Sequence, residues 1–234
     1  MRLQTSQNDI EKINVKKFAD WLLQVGEGKL GNSQDGIAEI EIPESILITE
    51  DIDPLQSIVK YTYPDLLQHL LDSSYLIERV ILSPTMAIVD EINSHILSLI
   101  PQESTTYLSS DTICKTDSEN AEIEELYDTE FLNTNASGIP PHKLDLKVGV
   151  PIMLIRNIDQ TTLLCNGTRL RVTLLGKHFI RAIALNGTSI EDQVLIHRMD
   201  MNPSDSKLPF KMNRRQFPMI LSFAMTINKS QGQS

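Results

Sequence analysis

Cysteine is nearly absent from these 234 residues, with Cys114 and Cys165 the whole complement. Two thiols so far apart make neither a disulfide framework nor a metal-binding spacing, so a reducing, intracellular compartment is expected. The five histidines are scattered, which leaves no zinc spacing. No apolar run approaches the roughly 18 residues needed to span a bilayer, and the start of the chain, polar through Lys17, does not read as a secretory leader. Low-complexity tracts and internal repeats are missing too. So is the Gly-x-x-x-x-Gly-Lys-Ser/Thr loop that cradles nucleotide phosphates. Gly26-Glu-Gly-Lys-Leu-Gly31 imitates it, but its lysine precedes the last glycine and the segment follows a helical pattern.

Positive charge is scarce in one part of the chain only. Residues 1–143 hold 9 Lys/Arg against 25 Asp/Glu, whereas residues 144–234 hold 12 against 6. The net charge of −10 therefore hides a basic second part, and a polyanion partner belongs there. Residues 117–130 carry seven acidic residues and no basic one, as a solvated helix face or loop, or an acidic contact surface, would. With 41% hydrophobic and 22% charged residues, the composition is that of an ordinary globular protein.

Val15, Phe18, Ala19, Leu22 and Leu23 recur at helical spacing ahead of Gly26, a plausible C-cap. Asp53-Pro54 pairs a capping side chain with a proline suited to the first helical turn. Leu66, Leu67, Leu70 and Leu71 form a further apolar face after Tyr63-Pro64. Val80-Ile-Leu82 has the short β-branched character of a buried parallel strand, and a helix is predicted over 86–100 with Val89, Ile92, Ile96 and Leu99 inward. Strand, tight turn and helix form the unit of an α/β lobe. Gly138-Ile-Pro-Pro141 breaks regular structure, and strands are predicted over 150–155, 168–175, 179–185 and 193–199. Asn166-Gly and Asn186-Gly supply turns, so this region reads as a small antiparallel barrel, with Leu170, Val172 and Leu174 facing its core.

The last stretch, Met219-Ile-Leu-Ser-Phe-Ala-Met225 followed by Thr226, Asn228, Lys229, Ser230 and Gln231, delivers hydroxyl, amide and cationic donors from a buried element to a surface. Such a cluster suits a phosphate-rich ligand, and equally describes a capped helix end in a polar loop. It resembles the late Thr-Ile-(His or Asn)-Lys-Ser-Gln-Gly motif of superfamily-one DNA helicases of the PIF type, including those of plant Helitron transposons. Met1-Arg2-Leu3, the segment from Phe18 to Gly26, Ile81-Leu-Ser-Pro-Thr-Met86 through Asn93, Gly138 to His142, Leu146 to Asn157, Leu164 to Arg169 and Arg214 to Pro218 resemble the same family in order.

That resemblance implies a second RecA-like lobe (1–143, resumed over 214–234) interrupted by a Src-homology-type β-barrel (144–213). It implies a single-stranded DNA partner, ATP and Mg2+ as cofactors of the intact family, and a nuclear location. Arg2, Gln231 and Gly232 correspond to ATP-facing positions. Thr85, Thr226, Asn228 and Lys229 correspond to the DNA track, with Met86 where relatives usually have Asn and Asn228 where many have His. Arg156, Arg169 and Arg171 on the barrel and Arg214-Arg215 at its exit would follow phosphates. On their residues alone, Thr85 is equally a helix N-cap, Asn166–Arg169 a turn and Arg214-Arg215 a solvated pair. With no phosphate loop and no late catalytic arginine motif, the sequence reads as the C-terminal part of a motor whose ATPase lobe is missing, binding no nucleotide by itself and carrying no catalytic or metal-ligating residue. An ATP-independent nucleic-acid-binding module and a transposon-derived relic are the alternative readings.

Overall fold

The computed structural model describes residues 9–30, 39–48, 53–113, 138–159, 161, 164–185, 193–203 and 212–230. The chain divides into two compact units, Met1–Glu50 and Asp51–Ser234. The expected boundaries at 143 and 213 both fall inside the second.

In the first unit, helix α1 (Asp9–Gly26) carries a half-buried stripe of Val15, Phe18, Ala19 and Val25, with Phe18 stacked on Trp21 at 5.8 Å. Leu22 and Leu23 continue the spacing but are exposed. Gly26 is still helical. The left-handed closing residue is Gly28, at φ +67°, where the Gly28 amide donates to Val25 O (3.1 Å) and the Lys29 amide to Gln24 O (2.9 Å). This is the paired closure that favours glycine past a helix end.

The second unit opens as predicted. The Asp53 carboxylate accepts from the Leu55 amide at 3.0 Å and starts α2 (Pro54–Thr62). Two short helices follow, α3 (Leu66–His69) and α4 (Ser73–Ile77), the latter capped by Asp72. Leu66 and Leu70 are buried, whereas Leu67 and Leu71 are exposed, because α3 is a single turn and presents only one side to the core. Strand β1 (Ile81–Ser83) leads into α5 (Met86–Leu99), whose buried face is Val89, Ile92, Asn93, Ile96 and Leu97. Leu99 points out, contrary to expectation, since the inward stripe runs through Leu97 to Ile100.

Strands β2 (Thr105–Leu108), β3 (Ser110–Ile113) and β4 (Lys143–Leu146) precede β5 (Pro151–Leu154), β6 (Arg169–Leu175), β7 (Phe179–Ala184) and β8 (Gln193–His197). After them come β9 (Met199–Met201), β10 (Met212–Gln216), β11 (Met219–Leu221), β12 (Ala224–Thr226) and the one-turn helix α6 (Ile227–Ser230). The strand predicted over 193–199 is therefore two, divided at Arg198. Among the described residues these strands form an open five-stranded antiparallel sheet, β11-β5-β6-β7-β8, a three-stranded sheet, β3-β10-β9, and an antiparallel pair, β2-β4. Among the described residues no closed barrel is formed, and β11 and β8 are the outer strands of this sheet. The only parallel pairing among the described residues joins β1 to β12, Ile81 opposite Ala224 and Ser83 opposite Thr226.

Leu170 and Val172 are fully buried as predicted, but Leu174 is 38% exposed. The register explains it. Val172 faces Ala182 and Leu174 faces the next residue, Arg181, so Thr173 is an extra residue in β6. Such a bulge reverses the alternation beyond it, and Leu175, opposite Ile180, packs inward instead. The turn at Asn166-Gly167 is present, with Gly167 at φ +89°. Asn186-Gly187 and the acidic stretch 117–130 lie outside the described residues.

Candidate nucleic-acid interface

Beta strands β1 and β12 run parallel, so their carboxyl ends emerge on one side of the pair. Thr85 lies in the turn leaving β1, where its hydroxyl accepts from the Ile88 amide at 3.5 Å and caps α5. Thr226 ends β12 opposite Ser83, and α6 places Asn228 and Lys229 immediately beyond. Thr85 and Asn228 are exposed, Thr226 and Lys229 half-buried. The structure thus gathers four of the predicted DNA residues on the side of a parallel pair where open α/β sheets commonly receive ligands. Burial pushes the Lys229 ammonium below its ordinary range while Asp90 on α5 holds it up; Asp90 is raised by burial and held down by Lys229. The two side chains are thus close enough to influence each other's charge, with burial the larger effect on both. Arg2, Gln231 and Gly232 lie outside the described residues.

The arginines separate into two groups. Arg171 is half-buried, its Nε 3.4 Å from Ser73 Oγ, with burial lowering and Asp72 raising its pKa. Arg156 donates to Asn202 O at 3.1 Å. Arg215 is exposed on β10 and paired with Asp200 at 3.1 Å. These three present guanidinium surface to solvent.

Arg169 and Arg214 do not. Arg169 is 7% exposed and its guanidinium donates to the carbonyls of Ile77 (3.4 Å), Arg79 (3.1 Å) and Ser222 (3.2 Å). Those carbonyls flank the amino ends of β1 and β12, opposite the face built by Thr85 and Thr226. Arg214 is wholly buried, forked onto Asp111 and bonded to Pro140 O at 3.0 Å. In this arrangement both guanidiniums are committed inside the protein. Phosphate contact by either would break buried hydrogen bonds, which corrects the expectation of a phosphate-following role for them.

Sequence reasoning overlooked several polar residues that hold this region together. Asn93 joins α5 to β12, its Oδ1 accepting from the Ala224 amide (2.9 Å) and its Nδ2 donating to Ala224 O (3.2 Å). Lys147, 9% exposed, donates to Leu97 O (2.9 Å) and Ile100 O (2.6 Å) and so ties up carbonyls left open at the end of α5. Gln216 bonds Tyr107 O and His142 O, both at 3.0 Å. The signal for Asn93 was available, since it sits between Ile92 and Ile96 on the inward stripe. Among the described residues no cluster of His, Cys, Asp or Glu could hold a metal ion, and no helix is long and apolar enough to cross a membrane.

Residues 130–175 match the family model for the 2B domain of the DNA helicase Pif1. The resemblance to PIF-type helicases is borne out there. The Pif1-like stretch includes β4, β5 and all of β6, and with them Lys147, Arg156, Arg169 and Arg171. Solved Pif1 structures are similar to the chain as well. The unliganded Pif1 of a Bacteroides species is 22% identical over 65% of this chain and 42% of its own, with a TM-score of 0.44. The Pif1 helicase of Candida albicans is 23% identical over 74% and 45%, TM-score 0.46. Bacteroides Pif1 bound to ssDNA is 20% identical over 74% and 40%, TM-score 0.45. The chain thus spans less than half the length of each of these Pif1 chains. No curated protein sequence matches it.

Proposed function

We propose that this chain carries the strand-gripping part of an ATP-dependent 5′-to-3′ DNA helicase of the Pif1 type. In this reading residues 1–143 and 214–234 belong to a RecA-like lobe, residues 144–213 to an inserted β-domain, and the lobe offers one side of a nucleotide cleft through Arg2, Gln231 and Gly232. ATP and Mg2+ then need a partner lobe bearing the phosphate loop that these residues lack, so the chain by itself turns over no ATP. The observation that carries the reading is the meeting of Thr85, Thr226, Asn228 and Lys229 at the carboxyl ends of β1 and β12. Two hydroxyls, an amide and an ammonium are donors suited to phosphate oxygens and carry no base code.

Fluorescence anisotropy with a labelled single-stranded oligonucleotide tests it. Binding is expected to be indifferent to sequence, with a log-log salt slope of about −2 to −3.5 for roughly three to five neutralised phosphates. Lys229→Ala weakens all sequences alike and flattens the slope by less than about one unit, while Lys60→Ala, exposed on α2, leaves both unchanged. No binding at low salt, or equal losses at Lys229 and Lys60, overturns the proposal.

A further inference from the structure

The chain crosses from the five-stranded sheet into the parallel pair through Leu221–Ala224, between β11 and β12. Such a crossing leaves a ladder at one end and joins another at the other, so carbonyls along it need partners from elsewhere, although that of Phe223 already accepts the Ile81 amide at 3.0 Å. Here buried side chains from three elements meet them in turn. Asn93 Nδ2 lies 3.5 Å from Leu221 O and 3.2 Å from Ala224 O. Arg169 donates to Ser222 O at 3.2 Å, and the Tyr63 hydroxyl to Phe223 O at 2.7 Å. Asn93 comes from α5, Arg169 from β6, and Tyr63 from the end of α2; they are 5%, 7% and 3% exposed.

Asn93 occupies the deciding place. The helix it belongs to begins at Thr85, and the strand it binds ends at Thr226, so its two-way bond with Ala224 sets the spacing across the face that those threonines and Lys229 form. Arg169 ties the same crossing to β6 of the Pif1-like stretch. We propose that Asn93, assisted by Tyr63 and Arg169, is a positioning residue for the strand grip: it touches no DNA and acts by registering β12 and α6 against the start of α5. This rests on the proposed function above.

The test is a double-mutant cycle read by oligonucleotide anisotropy. Asn93→Ala is expected to weaken single-strand binding roughly 2- to 30-fold, the range by which remote contacts modulate a site. It is also expected to flatten the salt slope as Lys229→Ala does. The two losses should be less than additive in the Asn93→Ala/Lys229→Ala protein, because a misplaced ammonium has little left to lose, and additive when Asn93→Ala is combined with Arg215→Ala on β10. A merely destabilising substitution removes binding-competent protein by the same factor in every background. Additivity with both partners therefore overturns the proposal. If Asn93→Ala does not fold, Tyr63→Phe, which removes one hydroxyl, goes through the same cycle, and additivity there overturns it equally. Wild-type chain that binds no oligonucleotide defeats the proposed function and this inference together, whereas Lys229-dependent binding with an additive cycle defeats this inference alone.

Discussion

Arg214 grips Asp111 as a fork, its Nε 3.0 and 3.1 Å from the two carboxylate oxygens and its Nη2 2.9 Å from Oδ2. The pair bonds β10 to β3 from within, with Ser109 Oγ donating to the same carboxylate at 2.7 Å. Removing one member of such a buried pair leaves the other charged and uncompensated, at a cost of about 3–5 kcal/mol. Arg214→Ala is expected to lower the unfolding free energy by that order. Arg214→Lys recovers little of it, since an ammonium cannot reproduce the planar fork. Urea unfolding of the three proteins decides; a near-neutral Arg214→Ala would contradict the burial.

The bulge in β6 makes two neighbouring leucines unequal. Leu170→Ala is expected to cost about 2–5 kcal/mol as a buried truncation, and Leu174→Ala only within about 0.5 kcal/mol, as a surface change. Equal shifts in the unfolding midpoint would reject the displaced register.

Burial raises the pKa of the Tyr63 hydroxyl above its ordinary value in the folded protein, by more than the nearby Arg169 lowers it. An acid whose folded pKa lies above its unfolded value contributes stability that is full below the unfolded pKa, about 10 for tyrosine, and lost as pH rises above it. Tyr63→Phe should be less stable than wild type at pH 8, by about 1 kcal/mol for the lost hydrogen bond. The gap should narrow above about pH 10, where the unfolded wild-type phenol ionises. Denaturant midpoints measured from about pH 8 to 11 check the narrowing; a constant gap would count against the assigned burial.

Gly149 holds φ +91°, and a Cβ there would meet Leu70 Cγ at 3.1 Å. Both the backbone and the packing oppose a side chain. Gly149→Ala is expected to destabilise by at least about 1–2 kcal/mol from the left-handed penalty, measurable as a lower melting temperature. Gly26→Ala, with nothing within 4 Å of its Cβ position, should be neutral or slightly stabilising in α1.

What could be read in advance was chemistry that acts over a few residues. Asp53-Pro54 and Thr85 cap helices through their own neighbours, and β6 and β7 announce themselves by alternation. The misread features depend on partners far along the chain. Ser110-Asp-Thr-Ile113 has no strand pattern of its own and becomes β3 only by pairing with β10 a hundred residues later. Arg169 and Arg214 looked like surface cations because the carbonyls and carboxylate that bury them come from remote segments, and no spacing rule reveals that. At the candidate interface, Thr85 and the Thr226–Lys229 cluster were legible as separate signals. Asn93, which connects their elements, was marked as inward by its spacing, but the Ala224 backbone it binds lies 131 residues away and no local pattern points to it.

The pairing of β1 with β12 also sets a clock. Ile81 waits for Ala224, 143 positions later by their register, so at ordinary synthesis rates β1 leaves the ribosome roughly 7–30 s before its partner exists. Throughout that interval the strand offers an open edge and α5 lacks the backbone that Asn93 binds. Early emergence of the first helices therefore cannot complete the parallel pair, and the closing residues of the described chain act as the latch of its folding.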